Sequence, residues 1–274
     1  MAARGHVEPQ TLRNEALRND RPRLMERKHE GPSCVGSPLR RSGQRNWREH
    51  QVRGEASVSG VTATFGFVDL AGFTALTEAH GDAEAVVMLD RFESTARYSL
   101  CDGGRLVKTI GDAIMLAFDE PAAAVTSVVA LFGALQSTDL PVARCGLHHG
   151  AAVERNGDYF GASVNLAARI AGQAHGGQVL VTLAVAGEAQ AAGLSVVELG
   201  CFDLRNIAEP VELFELRVAS DDGPTLVDPV CRMQVERDSA AGRLRHLDRD
   251  YWFCSLQCAS IFTADPDRVV ASTR

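Results

Sequence analysis

Lys108 and Asp112 stand four residues apart in LVKTIGDAIM, an otherwise apolar stretch at residues 106–115. The chain has two lysines among 28 lysines and arginines, leaving 26 arginines. A lysine retained against that background points to a need for its chemistry. Arginine is a planar, permanently charged fork, whereas lysine is a compact donor that can meet one acceptor. Asp69 ends the β-branched and aromatic run VTATFGFV and precedes LAGFT. A carboxylate at a strand end beside a glycine turn suits a cation–phosphate pair. The acid holds Mg²⁺ or Mn²⁺, and amides of the turn and the next helix start receive phosphate oxygens. Two carboxylates sharing a site repel unless a divalent ion lies between them, the arrangement that clamps an in-line displacement at phosphorus. Taken singly, Asp69 also fits a helix cap and Asp112 a turn residue.

Several elements must position these groups. Residues 61–68 read as a buried strand, Gly72 as a turn, and 83–100 as a helix, with Thr74 or Asp82 suited to capping. Strands at 105–110 and 113–118 flank Gly111-Asp112 as a β-hairpin. A helix over 121–136 carries Pro121 in its first turn. A strand over 143–153, a helix over 161–172, a strand over 178–182 and a hairpin within 195–218 follow. The order β-α-α-β-β-α-β-α-β predicts a mixed α+β fold with an antiparallel hairpin in a central sheet. Asn165 and Arg169 lie four apart on one helix and so share a face, with Arg169 offering a fork to phosphate. His148 and His149 are adjacent on a strand and point to opposite faces, so neither stands out as a general base.

The 274 residues, 45% hydrophobic and 23% charged, suffice for one full domain and a smaller one. No run of about 18 apolar residues and no apolar signal region occur, so neither a membrane span nor secretion is expected, and the cytoplasm is the default location. Residues 1–56 carry 12 basic and 7 acidic groups, so the rest of the chain holds −12 of the net −7. This basic, aromatic-poor leader reads as disordered; an unstructured extension, or a start at Met25, outweighs contact with nucleic acid or a membrane surface, and no nucleic-acid partner is expected for the protein. Residues 219–225, ASDDGPT, read as a linker, and a small unit covers 226–270. In it Cys231 and Cys254 are separated by 22 residues, and Cys254 and Cys258 by three more. Three soft thiolates suit Zn²⁺ or Cu⁺, with His246 as a conceivable fourth ligand. The competing reading packs these cysteines against Tyr251, Trp252, Phe253 and Phe262.

FGFVDLAGFTALTEAHG, LVKTIGDAIM and RCGLHHGAAVERNGDYFGASVNLAARI resemble, in order and spacing, three blocks of the class III nucleotidyl cyclase catalytic domain, over about residues 58–218. The resemblance implies a ferredoxin-like fold, a central, mainly antiparallel sheet with flanking helices. It implies that Asp69, Asp112 and the Leu70 carbonyl hold two Mg²⁺ or Mn²⁺ ions per site, with phosphates on Gly72, Phe73 and Thr74. Lys108 and Asp158 match the pair that reads adenine, at its ring nitrogen and exocyclic amine. Asn165 and Arg169 match the residues that position the ribose and meet charge on the transferred phosphorus. The implied reaction is cyclisation of ATP to 3′,5′-cyclic AMP and pyrophosphate, in a homodimer whose opposite subunits complete each site. Where the family often places a phosphate-binding Lys in LKG, this chain reads LRN, so Arg205 stands in that place. The tail resembles the YHS domain, with Arg232 in place of a Gly, which implies regulation by metal or redox state. A catalytically silent, nucleotide-binding regulator with a metal-binding tail is the reading from another class; it would show a lost essential residue, and all six positions are intact.

Overall fold

The computed structural model describes residues 58–136, 138–218 and 226–272. The leader and the linker 219–225 lie outside the described residues. The central strand is β1 (Val58–Leu70), rich in Val, Thr and Phe. Such side chains pack well on a half-buried pleat, and Phe65, Val68 and Leu70 are buried. The chain continues through α1 (Phe73–His80), α2 (Asp82–Tyr98), β2 (Gly104–Ile110), β3 (Ala113–Phe118), α3 (Pro121–Gln136), β4 (Ala143–Arg155), β5 (Asp158–Phe160), α4 (Ala162–Gln173), β6 (Val179–Val181), α5 (Leu183–Ala191), β7 (Val196–Phe202) and β8 (Val211–Leu216). The sheet order is β2-β3-β1-β4-β6-β8-β7, with β5 on β4. Only β4 and β6 pair in parallel among the described residues.

This is the expected mixed α+β fold, with a mostly antiparallel sheet and flanking helices. Two details differ from expectation. Gly72 and Gly81 are the N-caps of helices α1 and α2, so Thr74 and Asp82 lie inside the first turns instead of capping them. The short β5 and α5 are additional elements.

Each sheet face has its own apolar layer. On one, α2 buries Ala85, Met88, Phe92 and Ala96 at helical spacing, and α3 buries Val128, Leu131 and Leu135 among others. They meet Val68, Leu70, Ile114 and Leu116. Truncating a side chain as buried as Phe92 to Ala costs about 3–5 kcal/mol. On the other face α4 lays Val164 and Ala167 over Ala63, Phe65, Met115 and Tyr159. Gly146 on β4 makes that contact possible: a Cβ there would strike the backbone nitrogen of Ala171. A strand glycine at such a point lets helix and sheet approach closely.

The tail comprises β9 (Leu226–Val227), β10 (Gln234–Val235), β11 (Gly242–His246), β12 (Arg249–Phe253), α6 (Leu256–Ala264) and α7 (Pro266–Ser272). Its apolar residues extend the same core: Val230, Cys231, Met233, Phe253, Cys258 and Phe262 cluster with those of α2 and α3. Backbone bonds tie it to the segment before β4, from Val142 N to the Arg232 carbonyl at 3.1 Å and from Gln234 N to the Leu140 carbonyl at 3.3 Å.

Candidate active site

β1 and β3 run antiparallel with Asp69 opposite Ala113, so the end of β1 meets the Gly111-Asp112 turn. Gly111 adopts φ 62°, the left-handed geometry that two-residue hairpins require and glycine takes without strain. Leu70 N donates to the Asp112 carbonyl at 3.4 Å, stitching strand end to turn. Burial, and next the charge of Asp69, raise the Asp112 carboxyl above its usual range. The two predicted carboxylates are therefore neighbours whose repulsion a divalent cation relieves, so the residues present fit such an ion. Gly72, at φ 77°, follows as the N-cap of α1 with no side-chain cap, which leaves the first backbone N–H groups of Phe73 and Thr74 for an anion.

Sequence reasoning missed Arg144. It lies directly opposite Asp69 in the β1–β4 register. Its Nε and Nη2 donate to Asp69 Oδ2 at 2.8 and 2.5 Å, and Nη1 to the Ala174 carbonyl at 3.4 Å. The guanidinium holds the Asp69 carboxylate in one orientation. No local signal marks this role, because it exists only through strand pairing 75 residues apart.

Lys108 reaches Asp158 by way of a bulge in β2. Leu106 pairs with Leu116 while Lys108 pairs with Met115, which leaves Val107 as the extra residue. Because cross-strand partners share a face, the bulge turns Lys108 onto the α4 side, where Met115 and Tyr159 lie. A bulge commonly re-aims a side chain in this way. There Lys108 Nζ donates to Asp158 Oδ1 and Oδ2 at 2.8 and 2.6 Å, with the side chains 38% and 31% exposed. Burial opposes ionisation of Asp158, but the Lys108 ammonium and the Tyr159 amide hold its carboxyl below the usual range.

Asn165 and Arg169 are exposed on α4, away from its buried Val164, Ala167 and Ile170. Arg205 is exposed in the connection between β7 and β8, where Asn206 takes φ 64°. Among the described residues no hydrogen bond joins these three to the carboxylate pair. Thr64 and Thr182 engage His149 and His148 at 3.0 and 2.9 Å, so both histidines are satisfied within the sheet layer. From the tail, Arg232 takes φ 64° and lays its side chain against Gly72, where any Cβ would collide with it.

The three tail cysteines converge as expected, but His246 does not join them. Its Nε2 lies 3.1 Å from Asp267 and its ring meets Phe262 edge-on. His80, the last residue of α1, stands with Cys231, Cys254 and Cys258 instead, the four ligand atoms all within 4.8 Å of one another.

A family model described as the adenylate and guanylate cyclase catalytic domain matches residues 57–217. The chain belongs to this family. Among curated relatives it is 37% identical over 159 residues to a pH-sensitive adenylate cyclase of Mycobacterium tuberculosis, covering 56% of this chain and 40% of that one. It is 38% identical over 125 residues to an adenylate cyclase of Streptomyces coelicolor, covering 45% and 33%. An uncharacterised M. tuberculosis protein is 43% identical over 132 residues, 47% of this chain and 34% of that one. The chain thus spans between a third and two fifths of these relatives' lengths. Of solved structures, an adenylate cyclase of Trypanosoma brucei, described in its monomeric state, superposes with TM-score 0.51 at 25% identity, over 57% of this chain and 90% of that one. An adenylyl cyclase of P. aeruginosa shares the fold, with TM-score 0.53 at 18% identity, over 61% and 99%. No described helix is long and apolar enough to cross a membrane.

Proposed function

We propose that this protein is a class III adenylate cyclase that converts ATP to 3′,5′-cyclic AMP and pyrophosphate at sites shared between two copies of the chain. The observation that carries the choice of adenine is the Lys108–Asp158 contact, 2.6 Å at its shortest. It sets a donor beside an acceptor, the complement of adenine's ring nitrogen and exocyclic amine. Guanine presents a carbonyl where adenine has the amine, and a carboxylate there would face it with lone pairs on both sides.

Asp69 and Asp112, with the Leu70 carbonyl, hold the divalent ions. Two Mg²⁺ or Mn²⁺ ions, when bound, supply neutralisation of the triphosphate and of charge developing at the ribose 3′ oxygen. Arg144 keeps the Asp69 carboxylate aimed. The amides at Gly72, Phe73 and Thr74 receive phosphate oxygens, and Arg205 extends that contact. Asn165 orients the ribose so that its 3′ oxygen lines up with the α-phosphorus. Arg169 meets charge on the transferred phosphoryl group as pyrophosphate departs. Positioning and preorganised charge account for most of the rate.

Exposure of Asn165 and Arg169 on one copy suits completion of the site by a second. The exposed side chains of Ile110 and Phe160 lie beside the hairpin turn and Asp158, apolar surface that such a partner would cover. The tail, residues 226–270, is read as a YHS-like module that adjusts activity with metal or redox state. The test is turnover of ATP and GTP by the purified chain with Mn²⁺ or Mg²⁺. Cyclic AMP from ATP with little cyclic GMP is expected; a folded dimer that makes neither would overturn the proposal.

A further inference from the structure

His80 and the three tail cysteines have spacings that argue for more than packing. Cys231 and Cys254 Sγ lie 3.3 Å apart and Cys254 and Cys258 Sγ 3.8 Å apart. His80 Nε2 lies 3.5 Å from Cys254 Sγ and 3.8 Å from Cys258 Sγ. Zinc bonds of about 2.3 Å to sulfur and about 2.0 Å to nitrogen, directed tetrahedrally, give sulfur–sulfur edges of about 3.8 Å and sulfur–nitrogen edges of about 3.5 Å. A disulfide would instead bring two sulfurs to about 2.05 Å. Four of the six edges, at 3.3–3.8 Å, are close to these lengths and all six are within 4.8 Å, so the four donors converge on a space of the size one ion needs.

The surrounding backbone is fixed in advance. Asp228, fully buried, accepts from Val230 N and Cys254 N, both at 2.8 Å. Ser255, the N-cap of α6, accepts from Cys258 N at 3.1 Å. These bonds orient the cysteine-bearing loops as outer-shell partners orient metal ligands.

We propose that His80, Cys231, Cys254 and Cys258 bind one zinc ion, and that this ion fastens the tail to the catalytic domain. The fourth ligand comes from α1, 151 positions before Cys231, not from the tail. Four converging donors, one of them an imidazole, favour zinc over copper(I), which selects soft thiolate and thioether ligands. Helix α1 has eight residues, about 12 Å at 1.5 Å per residue. The ion grips its C-terminal end, and the Gly72–Thr74 turn opens its N-terminal end. Cys231 is followed at once by Arg232, whose side chain rests on Gly72. Zinc occupancy thereby fixes both ends of the phosphate-facing helix; this last consequence rests on the cyclase reading, whereas the ligand set does not.

The test uses the full chain, with zinc counted by elemental analysis and its ligands read by X-ray absorption at the zinc edge. One zinc per chain with three sulfurs and one imidazole nitrogen is expected. His80→Ala should remove the nitrogen and weaken zinc binding by roughly 100-fold or more, since loss of a mere outer-shell partner already costs about 10–100-fold. His246→Ala should change neither. Should His80→Ala fail to fold, His80→Cys provides the second arm: zinc retained in a four-sulfur shell. Sub-stoichiometric zinc in the zinc-grown wild type, a shell without nitrogen, or nitrogen retained in His80→Ala overturns the proposal. An active, zinc-free chain would refute the clamp and leave the cyclase reading intact. An inactive chain with the expected shell would do the reverse.

Discussion

Replacing Arg144 with Met tests the carboxylate site most directly. The guanidinium makes two charge-assisted bonds to Asp69 Oδ2, at 2.8 and 2.5 Å. The arginine and aspartate side chains are 33% and 19% exposed. Exposed ion pairs contribute about 0–1 kcal/mol, and breaking a buried one costs about 3–5 kcal/mol. This pair lies between those limits, at about 2 kcal/mol. For a chain of this size 1 kcal/mol corresponds to about 2–4 °C in Tm, so the metal-free variant should melt about 4–8 °C below wild type. Part of that loss is repulsion between Asp69 and Asp112, no longer offset by the cation. Saturating Mg²⁺ or Mn²⁺ should therefore recover at least half of it, and the ion should stabilise the variant more than the wild type. Differential scanning calorimetry with and without metal measures both. An equal loss in the two conditions, or none without metal, would refute the placement of Arg144 as the cation that substitutes at this site.

Asp69→Ala and Asn165→Ala chains should each be inactive alone, yet a one-to-one mixture should regain about a quarter of wild-type turnover, because half the two-fold dimers are mixed and each keeps one intact site. A mixture as silent as its components would rule out the shared site. Exchanging Lys108 and Asp158 for Glu and Cys should erode the preference for ATP over GTP in kcat/KM; unchanged selectivity would count against the purine pair. Arg232→Gly should stabilise the chain by about 1 kcal/mol, the cost of a left-handed non-glycine residue, and raise the KM for ATP roughly threefold to tenfold through loss of a solvent-screened cation beside the phosphate turn. Thermal melts and steady-state kinetics check the two halves, and a KM equal to wild type would reduce Arg232 to a packing residue.

Much of this protein is local in origin. The β-branched and aromatic run at 61–68, Pro121 at a helix start and Gly111-Asp112 between two apolar runs determined strand, helix and hairpin. The bounds of α3 coincide with the predicted 121–136. The common face of Asn165 and Arg169 likewise follows from a spacing of four on any helix. These signals are legible because each depends on residues a few positions apart. Three others were decided only by the folded chain. Arg144 meets Asp69 because β1 and β4 pair in one register, and a one-residue slip would send it to the other face. Lys108 meets Asp158 because an extra residue, Val107, turns it over. His80 meets the tail cysteines because α1 ends where the tail docks, and His246, closer in sequence to Cys254, is turned instead toward Asp267. The sequence determined which groups can do chemistry; register, bulge and docking, which sum contacts over the whole chain, decided which of them face one another.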